Sequence, residues 1–295
     1  MKQPPRARSS RSEVQGDAQG RNPALRLSRF MAGAGVASRR HADELIEQGR
    51  VTVNGEKAVL GQRVVPGIDR IAVDGREVGA KEQPVYVLLN KPPGYLSTCS
   101  DPFDRRTVLS LISGVKARVF PVGRLDLDAE GLLLLTNDGD LAYLLTHPKH
   151  HVVKEYLVEV AGDGVQEKTK AIRSGIIVEG KKVEVDYVRF LRSRQADEGR
   201  KPRQGPASRP AVAPPGPAER RSRVLIAVHE GEKHLVKNLC RAVGLQVKRL
   251  QRVKMGPLRL GDLPHGKWRY LEDKEVAALY ADARRKREGE QDGQR

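Results

Sequence analysis

The sequence predicts an α+β protein in two parts: a small module of two helices and short strands, then a larger domain on a mixed, mostly antiparallel β-sheet with flanking helices. Three observations lead there. Early in the chain, apolar residues recur at helical spacing and give way to short alternating runs bounded by Asn-Gly and Asp-Gly. From Pro84 onward, β-like runs and helical stretches intersperse without the regular alternation of βαβ units. A short polar linker, Ala80-Lys81-Glu82-Gln83, separates the two patterns.

The elements follow in order. Residues 1–22 are polar and basic and are expected to be a disordered tail. The small module spans 24–82. Leu25, Leu27, Phe30 and Met31 mark a first helix, broken by Gly33 and Gly35. Ser38 is a candidate N-cap for a second helix carrying Ala42, Leu45 and Ile46, which Gly49 ends. Residues 51–53 alternate as a strand into the Asn54-Gly55 hairpin turn, and further short strands are expected at 63–65 and 70–73.

The larger domain spans 84–283. Strands are expected at 85–89, 131–136, 156–160, 183–190, 224–229 and 246–254. Helices are expected near 107–112, 140–146, 165–174, 232–243 and 274–283. The segment 192–223 holds six prolines and nine Arg or Lys residues with few aliphatics, so it reads as a disordered insertion within the domain. Residues 284–295 are charged and are expected to be an unfolded tail.

Composition narrows the function classes. The 295 residues carry 54 Lys and Arg against 37 Asp and Glu, a formal charge of +17, which favours a polyanionic partner such as nucleic acid. Cys99 and Cys240 stand far apart with no metal-ligand spacing, as suits a reducing cytoplasm. His147, His150 and His151 have no cysteine partner, and His147-Pro148 reads as a helix-ending turn, so no metal is expected. No apolar run is long enough to cross a membrane, and no secretory signal is visible. No phosphate-binding loop or dinucleotide fingerprint occurs, so no cofactor is expected.

The motifs sharpen this. Arg26, Arg29, Arg39, Arg40 and Arg50 lie within 25 residues and are candidate phosphate contacts, which give affinity rather than sequence choice. The runs Arg26-Leu27-Ser28-Arg29, Gly35-Val36-Ala37-Ser38-Arg39-Arg40 and Gly49-Arg50-Val51-Thr52-Val53-Asn54-Gly55 together resemble the S4 RNA-binding domain. In the larger domain, Leu89-Asn90-Lys91-Pro92-Pro93-Gly94 reads as a strand entering a tight turn. A polar loop then leads into a buried strand: Gly123-Arg124-Leu125-Asp126-Leu127-Asp128-Ala129-Glu130-Gly131-Leu132-Leu133-Leu134-Leu135-Thr136-Asn137-Asp138-Gly139. Three carboxylates crowd together here, Asp126, Asp128 and Glu130, and spacing alone favours Asp126 and Asp128 simply bonding nearby loop amides. Taken with Lys154-Glu155-Tyr156 downstream, the series resembles the RsuA/RluB family of rRNA pseudouridine synthases, the RluB branch more closely.

That resemblance implies a function and roles. Asp126 would be the catalytic aspartate, and Arg124 would displace the target nucleotide and help hold Asp126. Tyr156 would stack on the flipped base. Lys91 and Lys154 would lie near the RNA, and Lys237, in the run from Glu230 to Gly244, would pair with Asp126. The expected partner is ribosomal RNA, 23S rRNA or a pre-ribosomal particle, and the enzyme is expected to be a monomer. The chain departs from the family at Leu235, where Gln is usual, and at Ala129, where a hydroxyl residue is usual. The Leu235 departure keeps open a non-catalytic rRNA-binding or assembly factor. A methyltransferase on an S4 module would need a nucleotide-cofactor loop, which the sequence lacks.

Overall fold

The computed structural model describes residues 23–79, 82–191 and 221–292, with side chains through Arg284. Residues 1–22 and 192–220, which hold the expected tail and nearly all of the expected insertion, lie outside the described residues. Two compact units divide the chain, Met1–Lys81 and Glu82–Arg295.

In the first unit, helices Leu27–Gly33 and Arg39–Glu47 pack together. Ser38 caps the second helix, its Oγ accepting from the His41 amide at 3.1 Å, which meets one of the helix's unpaired N–H groups. A small antiparallel sheet runs in the order Glu56–Lys57, Val51–Val53, Ile71–Val73, Arg76–Glu77. Leu27, Met31, Leu45, Ile46, Val51 and Ile71 close the core between helices and strands. The chain enters through a two-residue strand, Leu25–Arg26, paired with Arg63–Val64, so the first helix starts at Leu27.

Among the described residues, the second unit is built on a nine-stranded sheet. Its main path runs Tyr187–Leu191, Arg221–Val228, Lys154–Ala161, Gln246–Met255, Glu130–Thr136, Tyr86–Lys91, Trp268–Tyr270. Every pairing is antiparallel except Gln246–Met255 beside Glu130–Thr136. The leucine run of Glu130–Thr136 is buried throughout because both faces of the sheet are covered. Leu133 and Leu135 join Val158, Ile226 and Leu239 on one face. Leu132 and Leu134 join Leu141, Leu145 and Leu279 on the other.

At the single parallel pairing the backbones come unusually close. Gly131, opposite Arg252, has φ +99°, and a Cβ there would stand 2.3 Å from the Arg252 carbonyl oxygen. Only glycine fits such an approach.

The structure departs from the sequence reading at several ends. The 107–112 segment is a 3₁₀ turn, Val108–Ile112, and the 232–243 helix starts only at Leu235. The expected strand 183–190 is split into the end of a hairpin, Ile176–Val178 with Lys181–Val183, and the strand Tyr187–Leu191. Residues 221–223, assigned to the insertion, are strand, paired with Ala161, Val160 and Glu159. The last helix runs Asp273–Asp292 instead of ending at 283, so most of the expected unfolded tail is helical. Its Ala, Glu, Arg and Lys are strong helix formers, and a charged composition alone does not argue against a helix. Among the described residues, no helix is long and apolar enough to cross a membrane.

Candidate active site

The loop between strands Phe120–Pro121 and Glu130–Thr136 is fastened from several sides. Ser97 Oγ donates to the Leu125 carbonyl at 3.0 Å and accepts from its amide at 3.1 Å. The Gly94 amide donates to the Leu127 carbonyl at 2.7 Å. Lys91, at the end of Tyr86–Lys91, is fully buried (0% exposed) beneath the loop. Its ammonium donates to the carbonyls of Ala129 at 2.7 Å, Asp126 at 3.0 Å and Pro92 at 3.2 Å. Burial pushes its pKa down to about 8 against the attraction of Asp128, Asp126 and Glu130.

This corrects the expectation that Lys91 touches RNA. A buried ammonium ringed by carbonyls is an internal brace for the loop.

The loop presents Asp126 to a cleft of about 670 Å³, a size suited to a small ligand or a flipped base. Its carboxylate is about a quarter exposed and faces two groups from the far wall. Lys237 Nζ lies 3.1 Å from Oδ2, and His234 Nε2 lies 3.4 Å from Oδ1. Both come from the start of helix Leu235–Ala242; His234 precedes it with a left-handed backbone, φ 58°. Lys237 also meets Asp128 at 2.5 Å. Burial lowers the Lys237 pKa, but its bonds to Asp128 and Asp126 outweigh that and hold it above the usual lysine value. The Asp128 carboxyl is held below its usual range, chiefly by the hydrogen bond from Lys237.

The three crowded carboxylates therefore separate. Asp126 and Asp128 share Lys237, whereas Glu130 turns into the protein, bound by Arg249 at 2.5 Å and His265 at 3.1 Å.

The other expected residues sort as follows. Tyr156 and Lys154 line the cleft, Lys154 with its ammonium donating to the His229 carbonyl at 2.8 Å. Arg124 also lines it, exposed, but makes no hydrogen bond or ion pair among the described residues. The expectation that Arg124 holds Asp126 is corrected: that place is taken by Lys237 and His234. Leu235, the departure from the family pattern, is buried and forms apolar cleft wall. In the first unit Arg26, Arg29, Arg39, Arg40 and Arg50 are all exposed, with Arg50 paired to Asp74 through two hydrogen bonds.

Sequence reasoning missed His234, Arg252 and Ser97. His234 lay within a run read for its basic stripe, and no spacing rule marks a residue that reaches the site from a helix start. The rings of His147 and His150 pack on Tyr143, and that of His151 on His229. Among the described residues, no group of three His, Cys, Asp or Glu could hold a metal ion.

A loop aspartate fastened beside the Lys237 ammonium and the His234 imidazole, facing a base-sized cleft on a mixed sheet, fits an enzyme acting on a nucleotide. Comparison with known proteins defines the class. Residues 85–242 match the RNA pseudouridylate synthase family, and residues 25–67 match the S4 domain. A protein of Aquifex aeolicus described as an uncharacterized RNA pseudouridine synthase is 41% identical, over 87% of this chain and 94% of its own. Ribosomal large subunit pseudouridine synthase B of Bacillus subtilis is 36% identical, over 87% and 96%. A solved pseudouridylate synthase matches with a TM-score of 0.53 and 28% identity, covering 86% of this chain and 99% of its own. The chain belongs to the RNA pseudouridine synthases, isomerases that here carry an S4 domain.

Proposed function

We propose that this protein converts a uridine of large-subunit ribosomal RNA to pseudouridine, with Asp126 as the catalytic carboxylate. The observation that carries the reading is the pairing of Asp126 with Lys237 and His234 beside a cleft that Tyr156 also lines. The RNA class is carried over from the Bacillus subtilis relative, a large-subunit enzyme by name. The protein would work as a monomer in the cytoplasm, on 23S rRNA or a pre-ribosomal particle.

The reaction breaks the C1′–N1 bond, turns the base and rejoins it through C5; the C5 proton is lost and N1 gains one. A carboxylate serves by attacking C1′, or by taking the C2′ proton while charge develops on the sugar. Either route needs an anion held close to C1′, and the fastened loop with Lys237 as counter-charge supplies one. The base must leave its stack, a cost that stacking on Tyr156 offsets. Arg124, exposed and unpaired at the cleft, is suited to fill the vacated space in the RNA. The S4 arginines would supply phosphate contacts, with Arg50 exchanging Asp74 for RNA.

The test is a map of pseudouridines in rRNA from cells with and without the protein, and from cells carrying only Asp126→Asn. One site should vanish in the deletion and stay absent with Asp126→Asn. An unchanged map would favour a non-catalytic binding factor.

A further inference from the structure

A second buried cation lies at the cleft. Arg252, in strand Gln246–Met255, is 3% exposed. It stands directly opposite Tyr156 in the antiparallel register with Lys154–Ala161, so the two side chains share one face of the sheet. Both residues line the cleft that holds Asp126. Arg252 Nε donates to the Leu132 carbonyl at 2.8 Å, while Nη2 is buried with no hydrogen-bond partner. Among the described residues, no carboxylate pairs with its guanidinium. Its charge also acts on buried Lys91, helping to lower that pKa.

Bracing one carbonyl asks for a single donor and no charge. A guanidinium carries five donors, and burying an unmatched donor and an unpaired charge is destabilising. Such a group is matched when an acceptor enters the cleft.

We propose that Arg252 is a catalytic residue that hydrogen-bonds a carbonyl oxygen of the flipped uracil and stabilises the base as a leaving group. The inference rests on the uridine isomerisation proposed above. When the C1′–N1 bond breaks, its electron pair passes to the base, giving a uracil anion with charge spread over N1, O2 and O4. A donor at O2 or O4 gains strength as that charge grows, so it favours the transition state over the neutral base. Burial strengthens the attraction further. When C5 then bonds to C1′ and loses its proton, and N1 takes one up, the base is neutral again and the cation releases it.

The test uses the full-length protein and short RNAs bearing the uridine found by mapping, with uridine or 5-fluorouridine at that position. The single-turnover rate of C1′–N1 cleavage is measured. Wild-type turnover of the mapped uridine comes first; its absence would count against the underlying reading, not against Arg252 alone. Fluorine stabilises the departing anion by itself, so Arg252→Met should slow uridine cleavage about 100-fold but 5-fluorouridine cleavage only about tenfold. Arg252→Lys, which keeps the charge, should recover part of the uridine rate. Equal losses on both RNAs would overturn the proposal, because a purely structural defect does not distinguish the two bases. Should Arg252→Met fail to fold, the wild-type enzyme carries the test. Replacing O2 or O4 by sulfur, a poorer acceptor, in 2-thiouridine or 4-thiouridine RNA should slow cleavage about tenfold with one of the two. Undiminished rates with both would sink the idea.

Discussion

Two aspartates twelve residues apart, Asp126 and Asp138, look alike in sequence, each in a polar stretch at one end of the same leucine-rich strand. Their surroundings differ completely. Asp138 is 4% exposed and caps helix Gly139–Thr146, accepting from the amides of Asp140 and Leu141 at 3.1 and 3.2 Å. It also accepts from the hydroxyls of Tyr86, at 2.7 Å, and Tyr280. Burial would raise its pKa, but the Tyr280 and Tyr86 hydroxyls and the two amides hold it below the usual carboxylate range. Asp126 accepts from no backbone amide among the described residues and faces two ionisable groups across a cleft. The first carboxylate is spent on the fold, tying the last helix to the sheet; the second is held in place by its own backbone, leaving its oxygens accessible. A saturated carboxylate reads as architecture and an undersaturated one, rigidly presented, reads as chemistry.

Variants can break that comparison. The largest effect expected is on turnover: Asp126→Asn should lower it roughly 10⁴-fold while leaving the thermal unfolding midpoint and RNA affinity nearly unchanged. A clear loss of stability would put Asp126 in the same class as Asp138. Asp138→Ala should do the reverse. It strands two tyrosine hydroxyls and removes a helix cap, costing about 3 kcal/mol in denaturant unfolding, with near-normal turnover in the fraction still folded. Lys237→Met should reduce turnover about 100-fold with the KM for RNA changed far less; a selective rise in KM would make Lys237 an RNA contact instead.

The smallest effect concerns the brace under the Asp126 loop. Lys91 releases its proton near pH 8 in the folded protein and at 10.5 in the unfolded chain. Between those values the unfolded state binds more protons, so the linkage contribution to stability rises with pH; it is lost as pH falls through 8. Activity should move the other way, declining several-fold above about pH 8 as the ammonium that holds the loop carbonyls of Asp126, Leu127 and Ala129 is neutralised. Stability and turnover measured across pH 7–10.5, wild type against Lys91→Met, would check both signs. Parallel pH profiles for the two proteins would remove Lys91 from this role.

The motifs carried much of this in linear form. The S4 runs, the Asp126 loop and Tyr156 were all readable, because each is a local pattern of turn residues, apolar alternation and charge. The brace role of Lys91 is not legible in sequence, since lysine usually seeks solvent and no linear rule shows the loop 126–129 folding over its ammonium. Arg124 is the cation nearer to Asp126 in sequence, but Lys237 is the one that meets it in space. Sequence neighbours need not be spatial partners: Asp126 finds its cation 111 positions away and ignores the arginine two residues before it.

By itself, then, the sequence determined the α+β class, the two-part organisation and the motifs that mark the family, since hydrophobic period, turn chemistry and motif order are properties of the chain. It also offered Asp126 as the candidate carboxylate. Only the tertiary structure decided which aspartate is saturated, which lysine is a brace, and that His234 and Arg252 reach the same cleft. Those outcomes depend on burial and on contacts between distant strands, above all the two pairings of Gln246–Met255 that set Arg252 against Gly131 on one side and opposite Tyr156 on the other. Solvation and long-range register fix them, and neither is written in any one segment of the chain.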